Sequence, residues 1–330
     1  MWSRPDRSPT EPRTERWVRA RNESEDVKIF VTGSSASLMS RELATLLTGR
    51  HVTFPVFPLS FVELLHFRGI RPPARPRLAG APPRLQNALR DYVLWGGFPE
   101  VVLEESEQRR HTLLKTYFDD LLYKDVALRH RVRDMQALRA LAVHLLAQTA
   151  NLVSLQRTAR TFGVSLDLAR TYLGHLQEAY LVESLPYYSL KVTERQRHPQ
   201  KVHAVDLGLR NAVCLSETPD RGRLAETSVT SALRRDPDND LFYWKADGEV
   251  DLLVRRGNRV KALVQVVCEG LDDEASAVRK RETAPFAAGR AAYPEARCVL
   301  VVGRGVGPDL PDVDVMPLWR LLLEGLSWSV

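Results

Sequence analysis

Few residues of this chain stand at spacings that perform chemistry by themselves, and phosphate binding is the first to test. A P-loop needs Gly-x-x-x-x-Gly-Lys-Ser/Thr between a strand and a helix, so that backbone N–H groups wrap the phosphates and the lysine neutralises charge. Lys115-Thr116 is the only Lys followed by Ser or Thr in the 330 residues, and no glycine precedes it at either required position. The lone Asp-Glu pair, Asp273-Glu274, sits in a polar segment instead of closing an apolar strand, and protein-kinase signatures are absent. ATP hydrolysis by this chain alone is therefore not expected. Cys214, Cys268 and Cys298 are far apart, with no Cys-x-x-Cys and no His at ligand spacing, which argues against zinc and against a disulfide framework. His130, His144 and His175 are isolated in sequence and read as surface or satisfied core histidines.

Nucleic-acid contact is the second chemistry. Leu155, Ala159 and Phe162 mark one face of a short helix, Gly163 breaks it, and Ser165 caps a second helix. In the second helix Leu166, Ala169, Leu173 and Leu176 keep an inner stripe at helical spacing. With Leu181 to Leu185 following, this predicts a helix-turn-helix with a β-wing. Arg170, Thr171 and His175 fall on its outward face, with Arg157 and Arg160 on the preceding helix, and such residues contact phosphates or base edges. Asp167 and Glu178 dilute the charge, and winged helices also serve as packing or protein-contact modules. A net charge of +6 and a pI near 9.3, carried mostly by arginine, suit phosphate contact or a solvated surface equally.

The elements that must position these residues follow from periodicity. Residues 1–26 are rich in Arg, Glu, Pro and Ser without an apolar period, and are expected to be mobile. Val27 to Thr32 reads as a strand ending at Gly33-Ser34-Ser35, Ser37 as the cap of a helix through Leu47, and His51 to Val56 as a second strand. Five prolines between Arg71 and Arg84 make a linker or exposed loop. Helix returns at Leu85 to Leu94, before the breaker cluster Trp95-Gly96-Gly97-Phe98-Pro99. His111 to Val132 and Asp134 to Ala150 are long amphipathic helices. Beyond a basic stretch at 191–201 the pattern alternates: strands at 202–205, 241–245, 250–254, 260–267 and 298–302, with helices at 223–235 and from Pro317. There is no apolar h-region at the start and no apolar stretch long enough to cross a bilayer, so a cytoplasmic location is expected, with no membrane partner.

A resemblance joins these pieces. Ile29 to Ser35, Leu38, Gly49-Arg50, and Pro58-Leu59-Ser60-Phe61 with Glu63 resemble the later part of the AAA-type ATPase domain in a prokaryotic family. In that family a second region, long labelled a domain of unknown function, follows the ATPase. Trp95 to Glu100, Lys124-Asp125, Gly222 to Glu226 and Glu249-Val250-Asp251 are similar to its onward pattern. The resemblance implies that Thr32, Gly33, Ser34 and Ser35 form the sensor strand beside a nucleotide's terminal phosphate, with Arg50 and Arg68 nearby. ATP and Mg²⁺ are the ligands it implies for complete family members, none being expected for this chain alone. The P-loop and the acidic strand of the family lie upstream of the sensor strand, so truncation or a separate partner is expected.

The resemblance further implies a restriction-endonuclease-like C-terminal region, in which carboxylates hold a metal and a lysine activates water. Glu226, Asp251 and Gln265 fit the first three roles, with Glu226 and Asp251 as metal ligands, but Val267 stands at the lysine position. Lys261 shares strand parity with Gln265 at roughly 13 Å, too far to substitute. A turn near Arg256-Gly257-Asn258 sets Asp251 opposite Gln265, and a one-residue slip separates them. Glu226 and Asp251 are accordingly expected to be structural, paired with nearby Arg or Lys.

The expected fold is α/β with an all-α middle. It comprises a partial P-loop-type α/β segment at 27–100, a helical region with a winged helix at 101–190, and a nuclease-like α/β domain at 191–330. The expected function is that of a partial AAA-type ATPase relative, inactive as an ATPase alone, binding nucleic acid or a protein partner. The alternatives are a Mg²⁺-dependent nuclease of restriction-endonuclease fold and a winged-helix DNA-binding regulator.

Overall fold

A capping box starts the first helix. In the computed structural model, which describes residues 28–30, 32, 52–72, 81–215, 220–246, 248–268, 277–303, 310–326 and 328, Ser60 Oγ accepts the Glu63 N–H at 3.2 Å. Glu63 Oε2 accepts the Ser60 N–H at 2.7 Å in return. Helix α1 (Phe61–Phe67) buries Phe61, Leu64 and Leu65. Helix α2 (Pro83–Trp95) opens on a proline, whose missing N–H costs nothing in the first turn. Its Leu85, Ala88 and Tyr92 join the same core. Helix α3 (Pro99–Leu103) follows, then α4 (Glu107–Asp120), which continues through a π-helical stretch, Leu121–Leu128, containing Lys124-Asp125. Asp134 caps α5 (Met135–Ala147).

The two short helices joined at Gly163 form as the spacing predicts, beside a three-stranded antiparallel sheet. Strand β1 (Asn151–Val153), α6 (Leu155–Thr161), α7 (Leu166–Glu178), β2 (Val182–Leu185), a wing containing α8 (Val192–Arg197), and β3 (Gln200–Ala204) succeed one another. The sheet order is β1-β3-β2, all antiparallel. Gly163 makes the turn at φ +64°, in the left-handed region that glycine enters without steric cost. Ala169, Tyr172, Leu173 and Leu176 of α7 are buried against α5 and β2.

Helix α9 (Leu207–Val213) leads to α10 (Arg221–Arg234) and a five-stranded sheet of order β4-β5-β6-β7-β8. Its strands are β4 (Asp240–Lys245), β5 (Glu249–Arg256), β6 (Arg259–Val267), β7 (Arg297–Val302) and β8 (Asp314–Pro317). Helix α11 (Ala277–Ala292) crosses between β6 and β7, and α12 (Leu318–Glu324) follows β8. The first three strands pair antiparallel, while β6-β7 and β7-β8 are parallel. One sheet face packs on α10, α12, α1 and α2, and the other on α11. Thus residues 61–95 share a core with the C-terminal sheet.

The expected strands near the start are not present among the described residues. Lys28 to Phe30, Thr32 and Val52 to Phe57 lie in no strand, and Phe30 and Val56 are 91% and 95% exposed. A β-branched apolar run forms a strand only when another edge satisfies its backbone groups, and among the described residues no neighbouring strand does so. The anticipated helix after Ser37, along with Gly33, Ser34, Ser35 and Arg50, falls outside the described residues. Strand β8, helix α11 with its internal Pro285, and the three-residue β1 were not anticipated.

Candidate functional site

A bulge aligns the carboxylate cluster. At the β5-β6 turn Arg256 pairs with Arg259 and Arg255 with Val260, a register that would set Asp251 and Gln265 on opposite faces. Val254, however, pairs with Ala262, which leaves Lys261 as the extra residue. From there Leu252 faces Val264, bringing Asp251 level with Gln265, and Gln265 Oε1 accepts the Asp251 N–H at 3.2 Å. Asp251 Oδ2 accepts the Val266 N–H at 2.9 Å.

Lys201 enters this cluster from β3 of the winged-helix sheet. Its Nζ donates at 2.8 Å to Glu226 Oε1 on α10 and at 3.3 Å to Asp251 Oδ1, and it pairs with Glu249 Oε1 at 2.7 Å. The lysine side chain is only 2% exposed. Burial alone opposes its charge, but Glu226, Asp251 and Glu249 outweigh that and hold the ammonium well above the usual lysine range. Burial and then Asp251 push the Glu226 carboxyl well above the ordinary carboxylate range, against the pull of Lys201. Burial also raises Asp251, with Lys201 opposing. Next to Lys201 along β3, buried His203 is held neutral by burial, then by Lys201 and Arg234. Its Nδ1 meets Thr227 Oγ1 at 3.2 Å.

Glu226 and Asp251 are thus paired with a lysine, Lys201, which comes from the other sheet. Lys201 and Glu249 had not been assigned to the site. The one hint in the sequence was Lys201 sharing strand parity with His203 inside an apolar run. The cluster does not fit a divalent metal as arranged. The ammonium stands among the three carboxylates, Asp251 Oδ2 and Gln265 Oε1 accept backbone N–H groups, and Gln265 Nε2 donates to Glu282 Oε2 at 2.7 Å.

The breaker cluster and Asp206 form a second buried centre. Asp206 Oδ2 accepts the Gly97 N–H at 2.8 Å and Oδ1 the Leu209 N–H at 3.0 Å, the latter capping α9. Burial nevertheless lifts its carboxyl to about 6, against these N–H groups and Arg235. A Cβ on Gly96 would strike the Asp206 carboxyl, one on Gly97 the Leu59 backbone, and one on Gly208 the Trp95 carbonyl. Asn211 Nδ2 donates to the Val93 and Leu94 carbonyls at 3.0 and 2.9 Å, closing the end of α2.

On the winged helix, Arg157, Arg160, Arg170 and Thr171 are exposed. Arg157 also lines a groove with Ser154, Thr158, Thr161, Gln148 and Pro199. Arg170 makes a solvent-exposed pair with Asp167 at 3.5 Å. His175 is not on this outward face. It is half-buried and its ring stacks on His130, with centroids 3.5 Å apart. Arg68, read as a nucleotide-site residue, instead bonds Asp91 at 2.7 Å and the Val102 carbonyl at 3.3 Å. Among the described residues no helix is long and apolar enough to cross a membrane.

Comparison with known proteins bears on this arrangement. Residues 10–65 match the family model of an AAA domain, beginning upstream of the residues that carry the resemblance, and residues 86–220 match a Domain of unknown function (DUF8612). The chain is 33% identical over 264 residues to an uncharacterized protein of Methanocaldococcus jannaschii, covering 77% of this chain and 58% of that protein. It is 30% identical over 259 residues to an uncharacterized protein of Haemophilus influenzae, covering 76% and 62%. It is also 28% identical over 181 residues to an uncharacterized protein of Mycobacterium tuberculosis, covering 50% and 40%. The chain thus spans about three-fifths of the length of the first two relatives. No solved structure matches.

Proposed function

We propose that the chain is the nucleic-acid-binding part of an AAA-domain protein, with its winged helix contacting duplex DNA and its nuclease-like domain serving as a rigid, non-hydrolytic support. The observation that carries this reading is the exposure of Arg157, Arg160, Arg170 and Thr171 on a helix-turn-helix whose inner face is fully packed. Guanidinium groups presented from a fixed backbone suit phosphate contacts, and the second helix suits entry into a major groove. Lys191, Arg197 and His198 of the wing are exposed too and extend the same kind of surface. The Lys201-filled carboxylate cluster supports the non-hydrolytic half, because an ammonium neutralises the groups that a nuclease uses for its metal. Duplex binding measured by fluorescence anisotropy tests the reading: salt-sensitive binding weakened by Arg→Ala changes at 157, 160 and 170 supports it, and wild-type binding by the triple variant refutes it. Nicking of supercoiled DNA in Mg²⁺ or Mn²⁺ that is lost in Asp251→Ala would refute the non-hydrolytic half.

A further inference from the structure

His130, His175 and Glu178 come from two separate helical segments and converge. The helix that carries His130 stops at the next residue, Arg131, whose φ of +51° turns the chain away. His175 and Glu178 are three apart on α7, one turn of the same face. One ligand atom from each of the three residues can be chosen so that all lie within 4.8 Å of one another. His130 Nε2 and Glu178 Oε2 pair at 3.2 Å, and both are shielded from solvent. With the ring proton on Nδ1 the two facing atoms are both acceptors, an arrangement that a cation between them satisfies.

We propose that His130, His175 and Glu178 bind one divalent transition cation of the zinc class, which fastens α7, the second helix of the helix-turn-helix, to the end of the helical stretch that continues from α4. Two imidazoles and one carboxylate are a donor set for a borderline cation such as Zn²⁺, Co²⁺ or Ni²⁺, and unsuited to Mg²⁺. A fourth position is left for water. The site does not depend on DNA binding or on the Lys201 cluster, so it stands or falls separately from the proposed function.

The test is titration of the full chain, stripped with chelator, with Zn²⁺ and Co²⁺. The account expects one tight equivalent per chain, visible Co²⁺ d–d bands and a metal-dependent rise in Tm. His175→Gln and Glu178→Gln should each weaken binding by more than about 100-fold, the upper end of what losing an outer partner costs. Glu107→Gln, at an exposed position of α4, should leave the affinity unchanged. Circular dichroism establishes that each variant is folded, and His130→Asn supplies a third variant should one of the others fail. Absence of a tight equivalent in wild type, or its persistence in folded His175→Gln or Glu178→Gln, overturns the site.

Discussion

Lys201 Nζ, on a strand of the three-stranded sheet, lies 2.8 Å from Glu226 Oε1 on α10. This buried bond, together with those to Glu249 and Asp251 on β5, ties the two sheets through one charge. Removing it leaves carboxylates buried without their cation. Lys201→Met is expected to destabilise the fold by about 3–5 kcal/mol near neutral pH. The loss should shrink as pH falls, because Glu226 and Asp251 already titrate above ordinary carboxylates and take up protons more readily still without the ammonium. Added Mn²⁺ or Ca²⁺ should raise the Tm of this variant and not that of wild type. Chemical denaturation and thermal scans measure both effects, and a loss below about 1 kcal/mol would remove the cluster from the account.

Glycines 97 and 208 are close-packed against the Leu59 backbone and the Trp95 carbonyl, respectively. Gly97→Ala and Gly208→Ala are each expected to cost about 1–3 kcal/mol or more through forced backbone shifts. Gly174 provides the contrast. It lies inside α7 with nothing near the position of a Cβ, so Gly174→Ala should stabilise by about 0.5–1 kcal/mol. Urea midpoints decide, and equal effects at the three sites would contradict the packing argument.

Asp206 gives a pH dependence of definite sign. Its folded value of about 6 lies above the ordinary aspartate value of about 3.9, so the native state holds this proton more tightly than the unfolded chain. Its contribution to stability is therefore full below about 4, falls as pH rises through about 6, and is flat above. The total change is at most about 3 kcal/mol. Wild type minus Asp206→Asn, measured by urea unfolding at several pH values, should show that slope. Parallel curves would contradict it.

Much of this architecture was legible where a local pattern decided the structure. The stripe from Ala169 to Leu176 with the Ser165 cap and the Gly163 turn produced the helix-turn-helix, because spacing and capping act within a few residues. The pairing of Glu226 and Asp251 with a basic residue was foreseen as a type of contact, but Lys201 lies 25 and 50 positions away and arrives from another sheet. The bulge at Lys261 decides whether Asp251 meets Gln265, and nothing in the residue types announces it. Phe30, Val52 and Val56 carried a strand signal yet are exposed outside any strand, since pairing is decided by a partner and not by propensity. His130 and His175 are isolated in sequence and stacked in space for the same long-range reason.

The salt dependence of duplex DNA binding tests the central claim most directly. Each arginine that pairs with a phosphate contributes close to one counterion, so the plot of log K against log salt should be linear for wild type. Its slope should fall by about one for each of Arg157→Ala, Arg160→Ala and Arg170→Ala that removes a phosphate contact. The account predicts a progressive loss of slope from single to triple variant, with the fold intact by circular dichroism. Identical slopes and affinities for wild type and a folded triple variant would contradict it.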